Sequence, residues 1–73
     1  MKLTPLKSSN IAGAHYDAAA KRLTIEFHSG GVHSYDEVPP HHYSGLLAAI
    51  SAGKYFHAHI RGTYKSTKLP PAA

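Results

Sequence analysis

The stretch Arg22-Leu23-Thr24-Ile25-Glu26-Phe27-His28-Ser29-Gly30-Gly31-Val32-His33-Ser34-Tyr35 decides the fold. Leu23, Ile25 and Phe27 alternate with Arg22, Thr24, Glu26 and His28, the period-two pattern of a strand with one buried face. Ser29-Gly30-Gly31 supplies the small, permissive residues that a hairpin turn with positive φ needs. Val32-His33-Ser34-Tyr35 then returns as a second strand. A two-residue loop at Ser29-Gly30 sets Phe27 opposite Val32, Glu26 opposite His33 and Ile25 opposite Ser34. One face then carries Leu23, Ile25, Phe27 and Val32; the other carries Thr24, Glu26, His28, His33 and Tyr35. A three-residue loop would exchange the faces of the second strand and bring Tyr35 to the apolar side. The two-residue loop is the expected one.

Upstream, Ile11 to Tyr16 reads as a first strand, weak by propensity because of Gly13 and the alanines. Asp17 is a natural turn starter for the connector Asp17-Ala18-Ala19-Ala20-Lys21. Pairing Asp17 with Arg22 sets Tyr16, Ala14 and Ala12 against Leu23, Ile25 and Phe27. Ile11 falls on the wrong face unless a bulge at Gly13 returns it to the core side. Met1 to Lys7 is a lead-in ordered only by docking, and Ser8-Ser9-Asn10 is a polar corner whose hydroxyls suit turn-forming hydrogen bonds.

Downstream, Asp36-Glu37-Val38 leads into Pro39-Pro40, the second of which suits the first turn of a helix. Tyr43, Leu46, Leu47 and Ile50 fall on one apolar stripe at i, i+3, i+4 and i+7. Ser51 is placed to cap a short second helix over Lys54 to Arg61, with Phe56 and Ile60 one turn apart and Gly62 to end it. Leu23, Ile25, Phe27, Leu46, Ile50, Phe56 and Ile60 are the expected core. Residues 1–64 form one domain, and 65–73, with Pro70-Pro71 and little to bury, form a flexible tail. The fold class is α+β: a three-stranded antiparallel β-meander with two short C-terminal helices packed on one face.

At 73 residues the core is thin, and the absence of Cys removes disulfides and thiolate metal sites as its support. No apolar run is long enough to span a bilayer and no signal-peptide h-region opens the chain, so a cytoplasmic protein without membrane contact is expected. Lys plus Arg number 8 against 4 Asp plus Glu, for a formal charge of +4 and a pI near 9.6. Asp17, Glu26, Asp36 and Glu37 are the acids, and none follows Glu37, while Lys54, Arg61, Lys65 and Lys68 do. Such asymmetry points to an anionic partner, with plain solubility an equal explanation of charge alone.

Ser8-Ser9-Asn10-Ile11, Tyr16-Asp17, Leu23-x-Ile25-x-Phe27-x-x-Gly30, His33-x-Tyr35-x-x-Val38-Pro39 and Tyr55-Phe56-His57-x-x-Ile60-Arg61-x-x-Tyr64 together resemble the KTSC domain. That family is named for the C-terminus of some lysyl-tRNA synthetases and also occurs as free-standing small bacterial proteins. The resemblance implies RNA binding, without an established activity. Two positions depart from the family pattern. Its central Tyr-x-Tyr is here His33-Ser34-Tyr35, and its Asn after the aromatic pair is here His57.

In the two-residue register Tyr35, His33 and His15 lie on the sheet face away from the helices. Flat rings on an open sheet with cations nearby are how RNA-binding sheets stack unpaired bases. Lys54 and Arg61 could reach phosphates. The competing reading covers that face with a terminal arm or a second subunit. His28, His33 and Glu26 form a conceivable ligand set across the hairpin, but His41-His42 cannot readily share one ion, and His57 and His59 diverge on their helix. No metal and no other cofactor is expected. A His pair with Lys or Arg could serve acid–base catalysis, yet no base is identifiable and no catalytic residue is assigned. The expectation is a binding module for RNA or DNA, RNA preferred, using Tyr35, His33, His15, Lys54 and Arg61, and not an enzyme. The rival is a protein-interaction or homodimerisation domain. Added Zn²⁺ should leave the thermal midpoint unchanged; a saturable, stoichiometric rise would overturn the metal-free reading.

Overall fold

The computed structural model describes residues 4–6 and 10–69. Among these the chain runs β1 (Thr4–Pro5), β2 (Ile11–Asp17), β3 (Arg22–Phe27), β4 (Val32–Tyr35), α1 (Pro40–Ala48), α2 (Ala52–His59) and β5 (Ser66–Leu69). The strands form one antiparallel sheet in the order β1-β2-β3-β4-β5, with the helices inserted between β4 and β5. The α+β class stands, but the sheet has five strands rather than three. No helix of the described residues is long and apolar enough to cross a membrane.

The central hairpin closes through His28-Ser29-Gly30, three residues and not two. Phe27 N–H donates to the Gly31 carbonyl and Gly30 N–H to the Phe27 carbonyl, each at 2.9 Å, with Gly30 at φ +100°. This is a tight turn followed by a glycine bulge, which needs one positive φ and places it on Gly30. A two-residue hairpin turn needs positive φ at its first central residue, here Ser29, and Ser29 does not adopt it. The register becomes Leu23 opposite Tyr35, Thr24 opposite Ser34, Ile25 opposite His33 and Glu26 opposite Val32. Every side chain of β4 therefore exchanges faces relative to the expected pairing. Tyr35, only 6% exposed, joins the core, and Val32 turns to the far face beside Thr24 and Ser34.

The first hairpin matches its expected register. Asp17 pairs with Arg22, Tyr16 with Leu23 and Ala14 with Ile25. The Asp17 carboxylate accepts from the backbone N–H of Ala19 and Ala20 at 3.1 and 3.3 Å, fixing the turn. An irregularity between Ile11 and Gly13 brings Ile11 opposite Phe27 and buries it completely. β1 extends the sheet through Thr4 opposite Ala14, and Thr4 Oγ1 lies 3.1 Å from Tyr43 Oη of α1. Ser8 and Ser9 lie outside the described residues.

The helices cover the Leu23–Ile25–Tyr35 face. Pro40 opens α1, and Leu46 is its buried anchor. The helix stops at Ala48, where Ala49 turns extended, before the stripe reaches Ile50. Ile50 is fully exposed and Leu47 is 43% exposed, which removes Ile50 from the core. Ser51 Oγ accepts from Lys54 N–H at 3.3 Å as the N-cap of α2, which starts at Ala52 and presents Phe56 inward. Gly62, at φ +79°, reverses the chain so that Ser66 to Leu69 pair with Tyr35 to Val32. This corrects the expected tail: 66–69 are an edge strand, and 70–73 lie outside the described residues.

At Gly45 of α1 the Tyr55 side chain of α2 packs against the backbone. A Cβ there would overlap the Tyr55 ring. Gly45→Ala should lower stability by about 1–3 kcal/mol through overpacking, read as a denaturation midpoint. Adding it to a Tyr55→Ala background should bring little further loss, and full additivity would refute this contact as the cause.

Candidate functional site

Tyr35 turns inward but stays beside solvent, because it lies in a cleft between the end of α2 and the β3-β4-β5 side of the sheet. Phe56 meets Phe27 and Tyr35 edge-on, with centroids 5.5 and 5.4 Å apart, and Phe27 meets His33 at 5.7 Å in the same geometry. These edge-to-face contacts fix the rings of the cleft wall. The cleft encloses about 420 Å³, and His57, Arg61, Gly62, Tyr64 and Ser66 complete its lining. Arg61 is held there by its neighbours: Ile60 is buried in the core and Gly62 turns the chain, so the exposed guanidinium between them is directed at the cleft mouth.

The electrostatics are one-sided. No acid lines the cleft. Burial pushes the Tyr35 phenol up from its ordinary pKa, and the Arg61 charge partly offsets this. Arg61 Nη1 lies 3.3 Å from His57 Nδ1. Guanidinium only donates, so His57 is the acceptor and carries its own proton on Nε2. Lys68 stands opposite His33 on β5, on the same sheet face.

Three of the five residues selected from sequence meet here: His33, Tyr35 and Arg61. They meet on the helix-covered side of the sheet, not on an open far face, because the Gly30 bulge turned β4 over. His15 pairs with Thr24 and stays on the far face, which separates it from Tyr35. Lys54 lies in the first turn of α2, exposed and at the opposite end from Arg61. The far face instead carries small buried residues, with Thr24 only 1% exposed and Ser34 beside it. Phe27, Phe56, His57 and Tyr64 were not selected as site residues. The signal for Phe56, His57 and Tyr64 lay in the motif Tyr55-Phe56-His57-x-x-Ile60-Arg61-x-x-Tyr64, which places Phe56, His57 and Arg61 around one helix end, and that for Phe27 in the strand alternation.

A second aromatic cluster joins α1 to α2. His42 Nδ1 lies 3.0 Å from Tyr55 Oη, the Tyr55 and His59 rings are 4.5 Å apart, and Tyr64 stands 5.7 Å from His42. Burial, then the neighbouring charges of His41 and His59, hold the His42 pKa below its ordinary value. Among the described residues no three of His, Cys, Asp or Glu are grouped so as to hold a metal ion.

A family model described as the KTSC domain matches residues 7–64. The chain belongs to the KTSC domain family. This KTSC domain is 34% identical over 67 residues to a protein of Tsukamurella paurometabola, with 92% of this chain and 100% of that one covered. A lysine–tRNA ligase of Trichormus variabilis is 38% identical over 63 residues, which is 86% of this chain but 11% of the ligase. The crystal structure of a KTSC domain protein from Yersinia pestis superposes with a TM-score of 0.91 at 29% identity, covering 94% of this chain and 97% of that one. The family match ends at Tyr64, so β5 lies beyond it although it contributes Ser66 to the cleft.

His42 makes the fold pH-sensitive. Its folded pKa lies below the unfolded value of about 6.5, so in the window beneath 6.5 the unfolded chain binds the proton more readily. Its contribution is present above that pH and is lost as the pH falls through the folded pKa. The urea midpoint should drop between about pH 7.5 and pH 5.5, and His42→Asn should flatten the drop. Parallel curves for parent and variant would remove His42 from the account.

Proposed function

We propose that this KTSC domain is a nucleic-acid-binding module, RNA before DNA, acting as a binder and not as an enzyme in a cytoplasmic setting. The observation that carries this reading is the acid-free cleft in which Arg61 stands beside Tyr35, His33 and Tyr64. Ring faces and edges receive bases regardless of sequence, and a fixed guanidinium receives phosphate oxygens bidentately. The formal charge of +4 adds attraction at long range. A similar segment within proteins named lysine–tRNA ligases supports RNA over DNA. His15 and Lys54 lie outside the cleft lining and serve at most as outlying contacts for a longer strand.

A second reading, docking of a protein partner or a second copy, has its own observation. Ile50 is fully exposed next to Leu47 at the α1–α2 corner, and both edge a hollow that also includes Leu6 and Leu46. An apolar protein interface would be nearly indifferent to salt.

Titration of the domain with single-stranded RNA, duplex RNA and single-stranded DNA across a salt series decides between the two. Binding to single-stranded RNA should weaken steeply with salt, and Arg61→Ala should reduce the logarithmic slope by about one unit. Tyr35→Phe keeps the buried ring and should fold and bind nearly as the parent, whereas Tyr35→Ala should unfold the domain. Absence of RNA binding at low salt, with a concentration-dependent dimer in its place, would favour the second reading.

A further inference from the structure

The cleft is not isolated. A second hollow, also about 420 Å³, is lined by Asn10, Phe27, His28, Ser29 and His57. It shares two residues with the first, Phe27 and His57, so these form the wall between them. No acid lines either hollow. Arg61, on the first hollow's side of the wall, donates to His57 Nδ1 at 3.3 Å, and the His57 Nε2–H remains a donor.

We propose that the site takes two consecutive nucleotides, one base in each hollow, with the phosphate that links them held at the wall by Arg61 and His57. This rests on the nucleic-acid reading above and gives it a site size. Three observations bear on it. The hollows are of equal volume, each within the range of small-ligand sites. Each offers rings to a base: His33 and Tyr64 in the first, His28 in the second, with Phe27 between. A dinucleotide places its single linking phosphate between its bases, and His57, which lines both hollows, stands there with Arg61 of the first hollow donating to its Nδ1. The surface beyond is different in kind. The depression on the β4–β5 side contains Asp36, paired with Arg22, and Glu37 together with Lys65, so it lacks the acid-free lining of the two hollows.

The test compares adenosine 5′-monophosphate, the 5′-phosphorylated adenylate dinucleotide and a ten-residue oligoadenylate, each titrated against the intact chain by calorimetry and by backbone amide shifts. Counted per binding frame, of which a ten-residue strand offers about nine, the dinucleotide should bind within about threefold of the decamer, and it should bind at least about tenfold tighter than the mononucleotide, the order of one additional stacked base. His28→Ala should weaken the dinucleotide by about tenfold and leave the mononucleotide, seated in the first hollow, unchanged. Arg61→Ala and His57→Ala, both at exposed positions, should erase most of the dinucleotide's advantage. A decamer that binds far tighter per frame than the dinucleotide would overturn the two-nucleotide site while leaving the RNA reading intact. Equal binding of mononucleotide and dinucleotide would also overturn it, in favour of a single-nucleotide pocket. A chain that binds none of the three overturns both readings.

Discussion

One backbone torsion governs this fold: the positive φ of Gly30 in the turn between β3 and β4. By taking the left-handed conformation at the third loop residue, the chain forms a bulge and shifts the return strand by one residue. Side chains alternate along a strand, so that shift turns over all of β4. Tyr35 enters the core against Phe56, His33 comes to lie against Phe27, and Val32 leaves for the far face. The aromatic cleft exists because of that turn. With the alternative turn the same rings would stand on the opposite side of the sheet from Arg61.

Once β4 is set, the helices are constrained from both ends. Val38 is buried, its carbonyl accepts from Tyr16 Oη at 2.6 Å, and its N–H donates to Lys21. These contacts tie the start of α1 to the far end of the β2–β3 hairpin. At the other end Ile60 is buried and Gly62 reverses the chain. α2 lies between these anchors, close enough to α1 that only a residue without a side chain fits at position 45. The tight corner between the helices also explains Ile50. The chain must leave α1 in an extended conformation for Ser51 to cap α2, and the residue at the apex is left in solvent.

The two aromatic clusters respond differently to charge. The one around His42 disfavours protonation, since burial and two neighbouring imidazoles all oppose a positive charge there. The cleft around Tyr35 holds a permanent cation at its mouth and no acid in its lining. Tyr64 belongs to both, facing His42 and lining the cleft, so the two share a wall.

Local chemistry made much of this legible in the sequence. The Leu23–Ile25–Phe27 alternation identified β3, Asp17 identified the turn before it, and Gly13 marked where a bulge would bring Ile11 inward. Ser51 marked the start of α2 by capping chemistry alone, whereas Gly62, expected to end a helix running to Arg61, lies in the turn beyond the actual end at His59, where Ile60 is the cap. Each of these is an interaction within a few residues, and residue type decides it. The turn at Ser29-Gly30 was half legible: Ser is a poor candidate for positive φ, a signal outweighed by the shorter loop. What only the tertiary structure decided was long in range. Ser66-Thr67-Lys68-Leu69 has no apolar alternation and becomes β5 only because Gly62 returns it to the free edge of β4, where backbone groups pair whatever the side chains. Likewise His33, Tyr35, His57 and Arg61 share a cleft because one register and one helix end coincide in space, and sequence spacing does not encode that coincidence.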